Sequence, residues 1–195
     1  MCLTRDDVRK ALCLPGLRLS LDARLCPYFE EKDTVCFGLD FPARISSLPA
    51  LVRSLSLVEV EEDTYFGGAF LWFDLWSIGS PQLDKIGWAT VERMRLSYGE
   101  MRSLEVAPAQ RFREDESTQL QAFLFQAFAF QWDATVVYSR CDRFVHVSHD
   151  GYVVVVASSK EIRDNSWSFL EGWGPREVPD DIRARFCRPV RLSSA

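Results

Sequence analysis

The stretch from Gln119 to Ala157 constrains the fold more than any other: a nearly all-apolar helical pattern runs directly into two β-type runs joined at Asp150-Gly151. Between Leu120 and Trp132 the apolar pattern is interrupted only by Gln121, Gln126 and Gln131. A helix hydrophobic nearly all round is expected in the middle of a core, and at about 13 to 15 residues it falls short of the roughly 20 needed to cross a bilayer. After Trp132 the period changes to two. Thr135 to Arg140, Phe144 to Ser148 and Tyr152 to Ala157 read as three strands of an antiparallel meander. Asp150-Gly151 predicts a two-residue type I′ hairpin, which pairs His149 with Tyr152, Val147 with Val154 and Val145 with Val156. Both faces of these strands are largely apolar. The sheet is therefore expected to be covered on both sides, or covered on one side with the second used for binding.

Weaker signals surround this unit. Thr4 reads as the N-cap of a helix from Arg5 to Leu12, and Thr34 to Leu39 as a strand. Ser46 or Ser47 caps a helix carrying Pro49, Leu51, Val52 and Leu55. Tyr65 to Ile78 is an aromatic-rich strand interrupted by Gly67-Gly68, which suits a bulge or a close backbone approach. A helix is expected between Pro81 and Gly99, weakened by Gly87, then a short strand from Ser103 to Val106 and a polar loop from Arg111 to Gln119. Ser117 or Thr118 is the expected cap of the apolar helix. The tail beyond Lys160 reads as loop-like until a short helix from about Asp180 to Phe186. The expected fold class is α+β: a single domain, residues 1 to 195, with a mixed or antiparallel sheet whose C-terminal-half meander packs on the central apolar helix. Hairpins and the lack of a βαβ repeat argue against a doubly wound parallel sheet.

Composition narrows the function classes. The 195 residues are 47% hydrophobic, enough for one sizeable core, and carry a net charge of −5. That balance opposes general nucleic-acid binding, which needs a local excess of Lys and Arg. Arg176, Arg183, Arg185, Arg188 and Arg191 do gather near the end, but Glu177, Asp180 and Asp181 dilute them into a solvated helix face. The six cysteines form no C-x-x-C pair and follow no basic-then-apolar leader, so reduced thiols in a cytoplasmic, membrane-free protein are expected. Neither a metal nor a cofactor is expected. The glycine-rich, nucleophile-elbow and zinc-binding signatures of common enzyme classes are missing.

Some residues nonetheless have the chemistry for a site. Asp74 alternates onto the same strand face as Trp72 and Trp76, and a carboxylate between two indoles could bind a sugar, a cation or a basic side chain; the plainer reading is an ion-paired or wet-edge Asp. His146 and His149, the two histidines of the chain, point to opposite faces of a regular strand and so cannot share a metal. A thiol hydrolase could combine Cys141, His146 and Asp142, or Cys36 or Cys13 with His146, although closeness in sequence is poor support for such a set.

Two functions of different class follow. The first is a non-enzymatic cytoplasmic protein-binding domain that meets a basic protein partner through the acids Glu59, Glu61, Glu62 and Asp63 and the indoles of Trp72 and Trp76, with Glu114 to Glu116 as a second acidic cluster. Immunity proteins that neutralise toxins are an analogy of class, not of residues. The second is a small hydrolase or ligand-binding enzyme using Asp74, His146 and Cys141.

Overall fold

The computed structural model describes residues 2–12, 17–20, 26–29, 34–58, 67–74 and 84–187. Their architecture is a single α+β domain. Seven strands form one antiparallel sheet: β1 (Cys2–Leu3), β4 (Val35–Asp40), β5 (Ala69–Phe73), β6 (Ala109–Phe112), β7 (Ala134–Tyr138), β8 (Arg143–Ser148) and β9 (Tyr152–Ala157), in the spatial order β1-β6-β5-β7-β8-β9-β4. A separate antiparallel ribbon joins β2 (Leu17–Leu19) to β3 (Pro27–Phe29). The described helices are α1 (Arg5–Ala11), α2 (Leu48–Ser56), α3 (Lys85–Ser97), α4 (Ser117–Phe130), α5 (Lys160–Phe169) and α6 (Asp180–Phe186).

Both sheet faces are covered. On the first, Leu71, Phe73, Val136, Tyr138, Val145, Val147, Val153 and Val155 meet the apolar sides of α2, α3 and α4. On the second, Trp72, Val137, Phe144, Val154 and Val156 meet Val8 of α1, Leu17 and Phe29 of the ribbon, and Phe186 of α6. This double cover explains why β7 to β9 are valine-rich on both faces instead of alternating cleanly with polar residues.

The hairpin register differs from the expected one. Ser148 pairs with Tyr152, Val147 with Val153 and Val145 with Val155, so the connection holds three residues, His149, Asp150 and Gly151. Gly151 takes the single left-handed position of that loop, φ 87°. The Ser148 carbonyl accepts the Gly151 N–H, and the Ser148 hydroxyl accepts the Asp150 N–H. The shift by one residue puts Val153 and Val155 on the same face as Val145 and Val147.

Helix α4 is also less enclosed than its composition suggests. Leu120, Phe123, Leu124, Ala127 and Phe128 are buried, whereas Ala122 and Ala129 face solvent. Small apolar side chains mark its wet side, so amphipathicity here lies in residue size and is faint in polarity. Its N-cap is Glu116, with the helix starting at Ser117. Gly87, which weakens α3 by propensity, is required by packing. A Cβ there would lie 2.4 Å from the ring of Trp132. The Trp132 indole donates to Asp84 at 2.9 Å, and Asp84 caps α3 by accepting the Gly87 N–H.

Two further corrections concern element type. The stretch from Ser103 to Val106 is a turn, and the strand lies at Ala109–Phe112, inside the segment read partly as a loop. Here β6 pairs between β1 and β5, and tertiary pairing overrides its polar composition. The segment after Lys160, read as loop-like, is helical. Ser159 caps it by accepting the Ile162 N–H at 3.3 Å, and the buried Arg143 reaches it by donating to the Ser166 hydroxyl at 3.1 Å. Arg143 also donates to the Val58 carbonyl at 2.8 Å, tying the end of α2 to the sheet.

Candidate functional site

The antiparallel register gives the sheet two ends. Ala69, Phe112 and Tyr138 mark one; Phe73, Ala134 and Val147 mark the other. The residues expected to cooperate are divided between them. Cys141 lies in the β7 to β8 turn at the first end, and Asp74 follows β5 at the second, donating its N–H to the Asp133 carbonyl at 2.8 Å. A five-residue strand spans about 17 Å. Asp74 and Cys141 therefore cannot share a substrate atom.

His146 sits between the ends, on the second face. Its Nδ1 lies 3.2 Å from the Thr135 hydroxyl, its ring packs 5.1 Å from that of Phe186, and its Nε2 has no hydrogen-bond partner among the described residues. Burial, helped by the nearby Arg185 guanidinium, pushes its pKa down to about 4. A neutral, enclosed imidazole of this kind is a core group. The charged groups that act on His146 are Arg185, Asp133 and His149. Trp72 is 1% exposed and belongs to the second core, so its indole has a packing role in place of the expected binding role. Glu59, Glu61, Glu62, Asp63, Trp76 and Cys13 lie outside the described residues.

A pair not expected from the sequence occupies the second end. His149 Nδ1 meets the buried Asp133 carboxylate, which holds the histidine pKa above its ordinary value. Asp133 directly follows Trp132 and carries no periodic signal; only the turn geometry brings it to His149.

The first end holds a concavity of about 640 Å³. Gly67, Gly68 and Phe70 form one wall, Arg111, Arg113, Glu114 and Asp115 another, and Ser139 and Cys141 a third. Gly68 is required here. Its φ is 101°, and a Cβ would stand 2.8 Å from the Phe112 carbonyl oxygen. Its own carbonyl accepts the Ser139 N–H at 3.0 Å, which holds the β7 end against the strand start. The Arg111 guanidinium lies over the Phe70 ring at 5.7 Å, while Arg113 is drawn to Asp115 and Glu116 at 3.4 and 3.5 Å. Both cations thus have partners within the wall.

Cys141 is the one cysteine among the described residues lining this cavity, and its thiol donates to the Ser139 carbonyl at 3.6 Å. Among the described lining residues no histidine stands ready to take its proton, so the paired nucleophile and base of a thiol hydrolase are not assembled. Nor do the described residues bring together three or more His, Cys, Asp or Glu side chains able to hold a metal. No described helix is long and apolar enough to cross a membrane. The arrangement is an open, charged recess with a glycine wall. Compared with known proteins, the chain matches no family model, no curated protein and no solved structure.

Proposed function

We propose that this chain is a non-enzymatic protein-binding domain, and that the recess beside Gly67 and Gly68 receives a basic segment of a protein partner. The observation that carries the reading is the charge of that recess. Glu114 and Asp115 stand in its wall with Glu116 beside them, against Arg111 and Arg113, and Arg113 is already engaged by two of these carboxylates. In the sequence, the acidic run Glu59, Glu61, Glu62 and Asp63 ends four residues before Gly67. Glu114, Asp115 and Glu116 against Arg111 and Arg113 leave a surplus of negative charge for an incoming Lys or Arg, in keeping with the net charge of −5. Small-molecule pockets of similar volume are mostly apolar, and the exposed charges here favour a protein segment. An immunity protein covering a basic toxin surface is one form such a binder takes; that comparison is of function class alone.

The test is recovery of the tagged chain from its native cells, beside a Glu114→Lys/Asp115→Lys variant of unchanged melting temperature. The expected result is a stoichiometric basic protein that accompanies the wild type and is lost from the variant. Equal retention by both would remove the recess as the binding site. A retained metabolite with no protein partner would replace the protein-binding reading with a ligand-binding one.

A further inference from the structure

Two thiols near the β4 edge of the sheet are not used by the binding reading. Cys36 lies in β4, one of the two edge strands of the sheet, and Cys187 is the C-cap of α6. An isolated parallel bridge between Phe29 and Cys187 sets the end of α6 against β3, and Cys187 packs against the second core, of which Cys36 is a buried member. Both cysteines are free thiols. Cys36 is 2% exposed as a residue, yet it lines a recess of about 260 Å³ whose other walls include Lys160, Arg163, Glu177 and Arg183. The three cations outnumber the one carboxylate. Glu177 is itself shared between Arg163 and Arg183.

This surrounding has a chemical consequence. A thiolate beside guanidinium groups is stabilised over the thiol, and the thiolate is the reactive species. The Cys187 S–H donates to Cys36, which holds the Cys36 pKa below the ordinary thiol value and raises that of Cys187. The buried Cys2, raised by desolvation, has the opposite character. The two thiols are thereby divided into one that ionises and one that keeps its proton.

We propose that Cys36 and Cys187 form a peroxide-reactive dithiol site, opening on the recess between β4, α5 and α6. The oxidant is hydrogen peroxide or an alkyl hydroperoxide. The Cys36 thiolate attacks one peroxide oxygen, the O–O bond breaks, and hydroxide or alkoxide leaves and takes up a proton, giving a sulfenic acid on Cys36. The Cys187 sulfur then attacks the sulfenic sulfur. The S–O bond breaks, the hydroxyl leaves with the Cys187 proton as water, and the Cys36–Cys187 disulfide remains. Two thiols are oxidised by two electrons and one peroxide is reduced. The product clasps the end of α6 onto the sheet edge.

The test uses the full chain, reduced and then freed of reductant, treated with one equivalent of hydrogen peroxide under native conditions and mapped by peptide mass spectrometry. The expected product is a Cys36–Cys187 linked peptide pair lacking two hydrogen atoms, formed before any change at Cys2, Cys26 or Cys141. In Cys187→Ser the resolving thiol is gone, and dimedone is expected to label Cys36. A wild type whose Cys36 stays reduced while other thiols react would overturn the proposal, as would dimedone labelling of Cys187→Ser at any cysteine except Cys36. The wild-type map needs no variant, so a folding defect in Cys187→Ser leaves the test intact.

Discussion

His149 Nδ1 lies 2.9 Å from Asp133 Oδ1, and the same oxygen accepts the His149 backbone N–H at 2.7 Å. The carboxylate is buried while the imidazole is 46% exposed, so one side of the pair is fixed and the other is wet. The hydrogen bond to Asp133 raises the histidine pKa above 6.5. A raised pKa means that the pair's stabilisation is complete below the unfolded value and is lost as pH rises through the folded one. In an NMR titration His149 is expected to have a midpoint above 6.5, and Asp133→Asn to lower it. An unshifted midpoint in the wild type would show that the pair does not form in solution.

His146 behaves in the opposite way. Burial and Arg185 lower its pKa from 6.5 to about 4, so the folded state binds fewer protons than the unfolded chain between those values. Stability contributed by the neutral ring is complete above pH 6.5 and declines as pH falls toward 4, by about 3 kcal/mol over the full interval. Asp133 and His149 also act on this ring. The Thr135→Val/His146→Leu pair removes both hydrogen-bonding groups and is expected to flatten the acid limb of a urea-denaturation series between pH 6.5 and 4.5. An unchanged slope would show that His146 is not the buried base.

Gly151 and Gly172 form a matched comparison. A Cβ at either position meets nothing within 4 Å, but only Gly151 has a positive φ, 87°. Gly151→Ala is expected to cost about 1 to 2 kcal/mol through left-handed backbone strain. Gly172→Ala is expected to be neutral or to gain up to about 1 kcal/mol by restricting the unfolded chain. Chemical denaturation of the two variants measures the difference, and equal stabilities would contradict the left-handed backbone at Gly151.

Phe128 is 3% exposed and its ring lies 4.7 Å from that of Phe41, whereas Phe125 is only partly buried. Phe128→Ala is expected to cost about 3 to 5 kcal/mol, and Phe125→Ala less than half as much. Denaturant midpoints of both variants check the ranking. A reversed order would mean that α4 presents a different face to the sheet.

The strands most legible in the sequence were those where period and turn chemistry agreed. Val35–Asp40, Ala134–Tyr138, Arg143–Ser148 and Tyr152–Ala157 all lie within a residue or two of their expected bounds. Less legible was Ala109–Phe112, whose polar Gln110 and Arg111 are accommodated only because β1 and β5 pair on either side. Propensity is weak when pairing partners come from distant parts of the chain. The one-residue error at Gly151 has the same origin, because two- and three-residue loops both use a glycine at positive φ and only the paired strands distinguish them.

The amino-acid sequence by itself determined an α+β chain with an apolar helix, a valine-rich meander and a surplus of acid, because periodicity, turn residues and charge act locally along the backbone. Tertiary structure alone decided which side chains meet. It separated Asp74 from Cys141 by the length of a strand and enclosed His146 and Trp72 in the second core. It also joined Asp133 to His149 and set Cys36 against Cys187, 151 positions apart in the chain. Such contacts depend on strand order and on which layer covers each sheet face. Both arise from long-range packing, whose free energy is shared among many residues and written in no single motif.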